Sequence, residues 1–197
     1  AQLEYKCCFI GHVRNDYHGK YIKSVLLKDR IDITALSCDP KGTKRSVNIV
    51  YLDGGRKNFY DGKSHMKLKP DKQKILPLLE KSKIVHCALM NWSRDLIPDI
   101  KQMNIPLAVD LQDIVHINDP YREDFIKAAD ILFFSAVNFP DPTTLVEKIR
   151  NKNQKPELLM IIGRGKKGAI LASREKITHF PAIEIPNHPV IDTNGAG

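Results

Sequence analysis

The 197-residue sequence has no apolar run approaching the roughly 20 residues that a membrane-spanning helix requires. Its start, Ala1-Gln2-Leu3-Glu4-Tyr5-Lys6, lacks the charged-then-apolar plan of a signal peptide. A soluble chain with no membrane partner is the expectation. Cysteine is scarce: Cys7, Cys8, Cys38 and Cys87 form no C-x-x-C pair, and no histidine stands at zinc-finger spacing from them. The seven histidines are scattered without an H-x-x-x-H pair, so no protein-held metal centre is expected. Cys7 and Cys8 sit in an apolar run and read as small buried residues, which fits a reducing cytoplasm. Neither Gly (11) nor Pro (12) is in excess and 42% of the residues are hydrophobic, which excludes a disordered chain and leaves one packed domain.

Charge of one sign does dominate, with a formal net charge of +8. The lysines and arginines are spread along the chain, densest at Lys63, Lys67, Lys69, Lys72 and Lys74, with no aromatic interleaving or zinc knuckle beside them. Solvated helix faces account for this pattern better than a nucleic-acid surface, and a nucleic-acid partner is not expected.

The apolar run over 6–11, stopped by Gly11, predicts a buried strand, and Tyr21, Ile22, Val25 and Leu26 follow Asp16 at helical spacing. Ser46-Val47-Asn48-Ile49-Val50-Tyr51 alternates, Asp53-Gly54-Gly55 is a turn signal and Asn58-Phe59-Tyr60 follows, so a small antiparallel segment is predicted within 32–62. After Pro70 helices near 71–82, 93–103, 120–129 and 142–152 alternate with apolar strands at 84–89, 106–111, 131–134 and 158–162. Strands apolar on both faces imply a mainly parallel sheet covered by helices, an α/β fold. The runs 168–172 and 177–180, split by Arg174-Glu175-Lys176, predict a closing hairpin.

Ligands of open α/β sheets bind beyond the carboxyl ends of the strands, which directs attention to strand-end residues. Pro189-Val190-Ile191 is a short extended run, and Asp192-Thr193-Asn194-Gly195-Ala196-Gly197 turns sharply with two glycines, as a strand-to-helix junction does. Backbone N–H groups at such a junction converge on an anion, and the helix dipole adds to the attraction. Asp110 ends a strand and reads equally as site or structural residue, whereas Asp16 reads as a helix cap before a catalytic group. Gly163-Arg164-Gly165-Lys166-Lys167-Gly168 has the G-x-G-x-x-G spacing, but a strand rather than a helix follows it, which argues against a dinucleotide fingerprint.

The closing hexapeptide resembles the D-T-x-G-A-G-D signature of the PfkB-type, ribokinase-like carbohydrate kinases, and the resemblance runs through most of the chain. Phe9-Ile10-Gly11 with Asp16, Gly19 and Ile31-Asp32-Ile33 is similar to the family's G-x-x-x-x-D-x-x-G, helix, G-[VI]-D passage, with Arg30 in place of the usual Gly. Asp53-Gly54-Gly55-Arg56 is similar to the turn of the family's β lid, Ala108-Val109-Asp110 to its strand ending in Asp, and the 163–168 loop to its T-x-G-x-x-G nucleotide loop, with Gly163 for Thr. Ser135 and Asn138 stand where the family has an Asn and a Glu linked to nucleotide and magnesium handling.

The resemblance implies a ribokinase-like three-layer sandwich with a β lid, here a single incomplete domain over 1–197, shortened at both ends. It implies ATP-dependent phosphoryl transfer, with Mg2+, to a hydroxyl of a sugar, nucleoside or similar small molecule. The anion hole would be Gly195, Ala196 and Gly197; Gly163, Gly165, Gly168 and Asn194 would face the nucleotide, with Asp110, Ser135 and Asp192 as further site residues. Asp192 and Asn194 match positions that hold a monovalent cation in some members, and a turn-stabilising role for Asp192 remains equally open. The catalytic base is expected directly after Gly197, so the 197 residues by themselves are expected to be inactive. Lid-mediated homodimers occur in the family, which makes a second copy a candidate partner. The departures at Ser135, Asn138 and Gly163 keep a second reading open: a non-catalytic nucleotide-binding or interaction protein on a kinase-like scaffold.

Overall fold

The chain divides into two units, Ala1–Lys81 and Ser82–Gly197, and residues 5–51 and 56–183 are those that the computed structural model describes. In the first unit, β1 (Gly11–Val13) pairs in parallel with β2 (Leu36–Cys38), and α1 (Tyr17–Lys28) joins them. Asp16 caps α1, its carboxylate accepting the N–H of Gly19 at 2.8 Å, as the sequence predicts. At the other end Ile31 N–H reaches Leu26 O and Arg30 N–H reaches Leu27 O, a Schellman closure. That motif puts Arg30 in the left-handed region (φ 58), which is why a glycine is the residue expected there.

The strand predicted over 6–11 forms later, at β1. Residues 6–10 are tied on one side, through Phe9 N–H to Asp32 O and Asp32 N–H to Cys7 O, and no described strand flanks their other side. Cys7 and Cys8 are therefore exposed rather than buried, which corrects the reading of that apolar run. Two antiparallel strands, β3 (Arg45–Val50) and β4 (Arg56–Asp61), form the expected ribbon, registered from Arg45↔Asp61 to Val50↔Arg56. Every residue of β3 is exposed. The predicted turn Asp53-Gly54-Gly55 lies outside the described residues. α2 (Lys72–Leu79) closes this unit on its buried Ile75 and Leu79.

The second unit is built on a six-stranded sheet. β5 (Val85–Ala88), β6 (Leu107–Asp113), β7 (Ile131–Ser135) and β8 (Leu159–Gly163) run parallel, and β9 (Ala169–Ala172) and β10 (Ile177–Phe180) add the predicted antiparallel hairpin in the order β10-β9-β8-β7-β6-β5. The helix predicted over 93–103 is two, α3 (Asn91–Arg94) and α4 (Ile97–Gln102). Pro98 explains the break: it has no N–H to donate and is accommodated in the first turn of α4. α5 (Pro120–Ala128) and α6 (Pro142–Asn153) both begin on an Asp-Pro pair, Asp119 accepting from Tyr121 N–H and Asp141 from Thr143 N–H, each at 2.9 Å.

Each parallel connection steps one strand in the same direction, and right-handed crossovers then bring the helices to one face. α5 accordingly packs on α4, α6 and β6. The face they cover is fully buried, with Leu132, Met160, Ile162 and Ala172 all at 0% exposure. On the opposite face Ile131, Phe133, Ile161 and Leu171 keep intermediate exposure among the described residues. The expected mainly parallel sheet flanked by helices is borne out, and the described residues show one of its faces fully buried.

Candidate functional site

β6, β7 and β8 end side by side. Their register pairs Asp113 with Ser135 and Ser135 with Gly163, so three residues from three strands form one row at the carboxyl edge of the sheet. The row exists because β6 carries an irregularity between Asp110 and Asp113, with Gln112 at φ 56, that lets the strand run past Asp110. Asp110 itself accepts the Gln112 N–H at 2.8 Å on one oxygen. Arg122 fastens the loop that follows: its Nε donates to Leu111 O (3.2 Å), one terminal nitrogen to Asp113 O (3.0 Å), and the other pairs with Asp119.

Beyond β7, the Ser135 hydroxyl accepts the Val137 N–H at 3.3 Å, and Ala136 N–H donates to Gly163 O at 3.0 Å, which locks the β7 and β8 ends together. The Asn138 amide donates to Ile114 O at 3.2 Å. Its side chain thus ties the β7 loop back to the end of β6. A neutral amide committed to a backbone carbonyl does different work from the carboxylate expected at that place.

The 163–168 loop is a single 3-10 turn, Gly165–Lys167, between β8 and β9. Arg164 N–H closes it on Gly168 O (2.9 Å) and Gly168 N–H on Gly165 O (2.9 Å). Its three glycines differ in what requires them. At Gly168, φ is 82 and an added Cβ would stand 2.0 Å from Phe180 O, so the backbone of the 180–182 segment leaves no room for a side chain. At Gly165, φ is 55 but no described residue lies within 4 Å of an added Cβ. Gly163 has ordinary backbone, and among the described residues its nearest added contact is Phe134 O at 4.0 Å, so they leave the space in front of it open. Lys166 and Lys167 are exposed beside Arg164, giving the loop three cationic side chains and no acidic one.

The sequence-predicted residues therefore separate. Gly163 and Ser135 are brought together directly, Gly165 and Gly168 shape the adjoining loop, and Asp110 lies one strand away in register with Phe133. Asp192, Asn194, Gly195, Ala196 and Gly197 lie outside the described residues. Asp113 was not singled out from sequence, because the apolar pattern of its strand stops at Leu111 and the backbone irregularity has no compositional mark. Among the described residues no group of three His, Cys, Asp or Glu side chains could hold a metal ion. What the edge offers is a sparse oxygen set, the carboxylates of Asp110 and Asp113 and the Ser135 hydroxyl. Such a set suits a hard cation that arrives with most of its ligands from water and phosphate.

A mainly parallel α/β sheet with loops gathered at its carboxyl edge, in a chain that also carries a β-ribbon unit, defines a ribokinase-like fold. The chain is similar in sequence and structure to ribokinase/PfkB-family sugar kinases. It superposes on a microbiome-derived acarbose kinase with a TM-score of 0.85 at 28% identity, over 99% of this chain and 65% of that one. It superposes on Arabidopsis thaliana ribokinase complexed with ribose and ATP with a TM-score of 0.76 at 21% identity, over 99% and 66% of the two chains. Among curated proteins it is 22% identical to fructokinase of Salmonella typhimurium, over 100% of this chain and 69% of that protein. It is also 22% identical to acarbose 7(IV)-phosphotransferase of an Actinoplanes species, over 93% of this chain and 60% of that protein. The chain thus spans about two thirds of the length of the relatives it matches. No family model matches it.

Proposed function

We propose that the protein to which these residues belong transfers the γ-phosphate of ATP to a hydroxyl of a sugar. The observation that carries the reading is the paired ends of β7 and β8 with the glycine loop beside them: Ser135 abreast of Gly163, and space in front of Gly163 that the described residues leave open, bordered by a cationic loop. Phosphoryl transfer asks a protein for in-line placement and for neutralisation of developing charge, with little covalent chemistry of its own. In this reading Gly163, Gly165 and Gly168 keep the backbone low enough for a nucleotide to lie across the loop. Arg164, Lys166 and Lys167 attract its phosphates, and Gly195, Ala196, Gly197 and Asn194 complete the anion cradle.

Magnesium, when bound, would supply charge neutralisation for the transferring phosphates. Asp113 and Asp110 are the carboxylates placed to receive its waters. Asp192 with Asn194 is the candidate place for a monovalent cation. The base that takes the acceptor's proton is assigned to the position after Gly197. We assign the protein to a reducing, cytoplasmic setting, in keeping with four free cysteines. The ribbon β3–β4 is the surface proposed for a homodimer, since it exposes Val47, Ile49 and Phe59.

The test is ADP release by the full-length protein on a panel that includes fructose, ribose and acarbose. Acceptor-dependent release with at least one sugar is expected; none with any of them overturns the reading. One observation favours a second reading, nucleotide binding without turnover: Asn138 stands where a carboxylate is expected and spends its amide on Ile114 O. Saturable ATP binding together with zero turnover would select it.

A further inference from the structure

The β3–β4 ribbon has an unusual problem of support. Two paired strands alone are marginal in water, and all six residues of β3 are exposed. What fixes its direction must therefore act at its two feet, the segments just before β3 and just after β4.

Each foot is held by one carboxylate. Asp16 lies at the start of α1, and its Oδ2 accepts the Thr43 N–H at 2.9 Å while its Oδ1 accepts the Thr43 hydroxyl at 2.7 Å and the Gly19 N–H at 2.8 Å. Thr43 stands two residues before β3, and its Oγ1 also accepts the Arg14 N–H at 3.0 Å. Asp39, 2% exposed, follows β2; its Oδ1 accepts the Lys41 N–H at 2.9 Å and its Oδ2 the Ser64 N–H at 3.1 Å. Ser64 stands three residues after β4. An ionised carboxylate accepts several hydrogen bonds, and bonds to a charged acceptor are roughly twice as strong as neutral ones. The feet also touch one another. Lys63 pairs with Asp61 at 2.6 Å, and its side chain crosses Gly42, where an added Cβ would stand 3.2 Å from Lys63 Cε and φ is 129.

We propose that Asp16 and Asp39 form a two-carboxylate mount that sets the direction in which the β3–β4 ribbon leaves the body of the N-terminal unit. Asp16 fixes the incoming foot against α1, and Asp39 fixes the outgoing foot against β2. Helix capping then becomes the lesser part of what Asp16 does, since two of its three bonds go to Thr43. Within a single chain the ribbon's direction is a property of the mount and not of any described layer packed on β3. A second half of the proposal rests on the phosphoryl-transfer reading: with the ribbon acting as a lid, Asp16 and Asp39 are positioning residues that set affinity for the acceptor sugar without touching it.

The experiment is a spin–spin distance measurement in the full-length protein, with labels at Lys28→Cys on α1 and Lys57→Cys on β4, the other accessible cysteines being changed to serine. Thr43→Val combined with Asp39→Asn is expected to at least double the width of the distance distribution while circular dichroism stays unchanged. An unaltered centre and width overturns the mount. Should the double variant fail to fold, Thr43→Val alone decides the matter. It removes the Thr43 hydroxyl's bonds to Asp16 and Arg14 and leaves the Gly19 and Thr43 N–H bonds to Asp16 in place, so a widened distribution supports the mount and an unchanged one rejects it. In parallel, acceptor KM is expected to rise at least fivefold with kcat changed less than twofold; an unchanged KM rejects the positioning role. Absence of any phosphoryl transfer in the unmodified protein would sink the functional reading, while the distance measurement still decides the mount.

Discussion

Asp130 immediately precedes β7 and Asp110 lies within the neighbouring strand β6, and their surroundings are opposite. Asp130, just ahead of β7, has both oxygens engaged: one accepts the Leu107 N–H at 2.8 Å, the other Lys155 Nζ at 2.6 Å. Beside it, buried Asn153 donates to Ala129 O at 2.9 Å and to Ile126 O at 2.5 Å, and accepts the Lys155 N–H at 3.0 Å. Asp110, toward the carboxyl end of β6, accepts one backbone N–H, on one oxygen. The amino edge consumes its polar groups internally, whereas the carboxyl edge leaves carboxylates, a hydroxyl and a cationic loop facing outward. Parallel strands make the difference systematic, since every helix returns the chain to the amino edge and every loop at the carboxyl edge is released to serve a ligand.

The sharpest challenge to this contrast is Gly168→Ala, a loop substitution at the outward-facing edge. Its Cβ would meet the backbone at Phe180 O from a left-handed conformation, so a loss of about 4 kcal/mol in urea unfolding is expected. A loss under about 1 kcal/mol would mean that the loop tolerates a side chain there. Next in size, Asn153→Leu should cost about 3 kcal/mol, because it strands two carbonyls and an N–H in the interior. Nucleotide affinity of the folded fraction should stay unchanged, and a tenfold loss would blur the division between the two edges.

The smallest effect concerns Asp141, which caps α6. Hydrogen bonds from the Thr143 N–H and the Thr144 hydroxyl hold its carboxyl below the usual value. A depressed folded value means that this stabilisation is complete above the unfolded carboxyl pKa, about 3.9, and is lost as the pH falls through the folded value. Acid unfolding curves of Asp141→Asn should therefore converge on the parent only in strong acid and show a shallower slope between about pH 4 and that limit. An identical slope would remove Asp141 from the acid response.

Much of this was legible in the sequence. Alternating apolar runs and helical spacing placed the four parallel strands of the six-stranded sheet, and the helices predicted near 120–129 and 142–152 begin at Pro120 and Pro142. Arg30 was legible as an oddity, and its positive φ explains why. Three things were not. Cys7 and Cys8 carry no mark of having a neighbour on one side only. Pro98 divides a helix that periodicity alone would draw unbroken. Asp113 reaches the site through a backbone irregularity that composition does not encode. At the site, Gly163 and Ser135 were both identified, but their adjacency is a matter of strand register, which spacing cannot supply.

The most direct measurement is the affinity of the full-length protein for ATP with magnesium, compared between the parent and Gly163→Val. Among the described residues an added Cβ at Gly163 meets nothing nearer than Phe134 O at 4.0 Å, so the valine should shift Tm by less than about 2 °C, while it projects where the nucleotide is proposed to lie. At least a tenfold weakening of ATP binding is expected. Equal affinity in the two proteins would place the nucleotide elsewhere and contradict the assignment of the carboxyl edge.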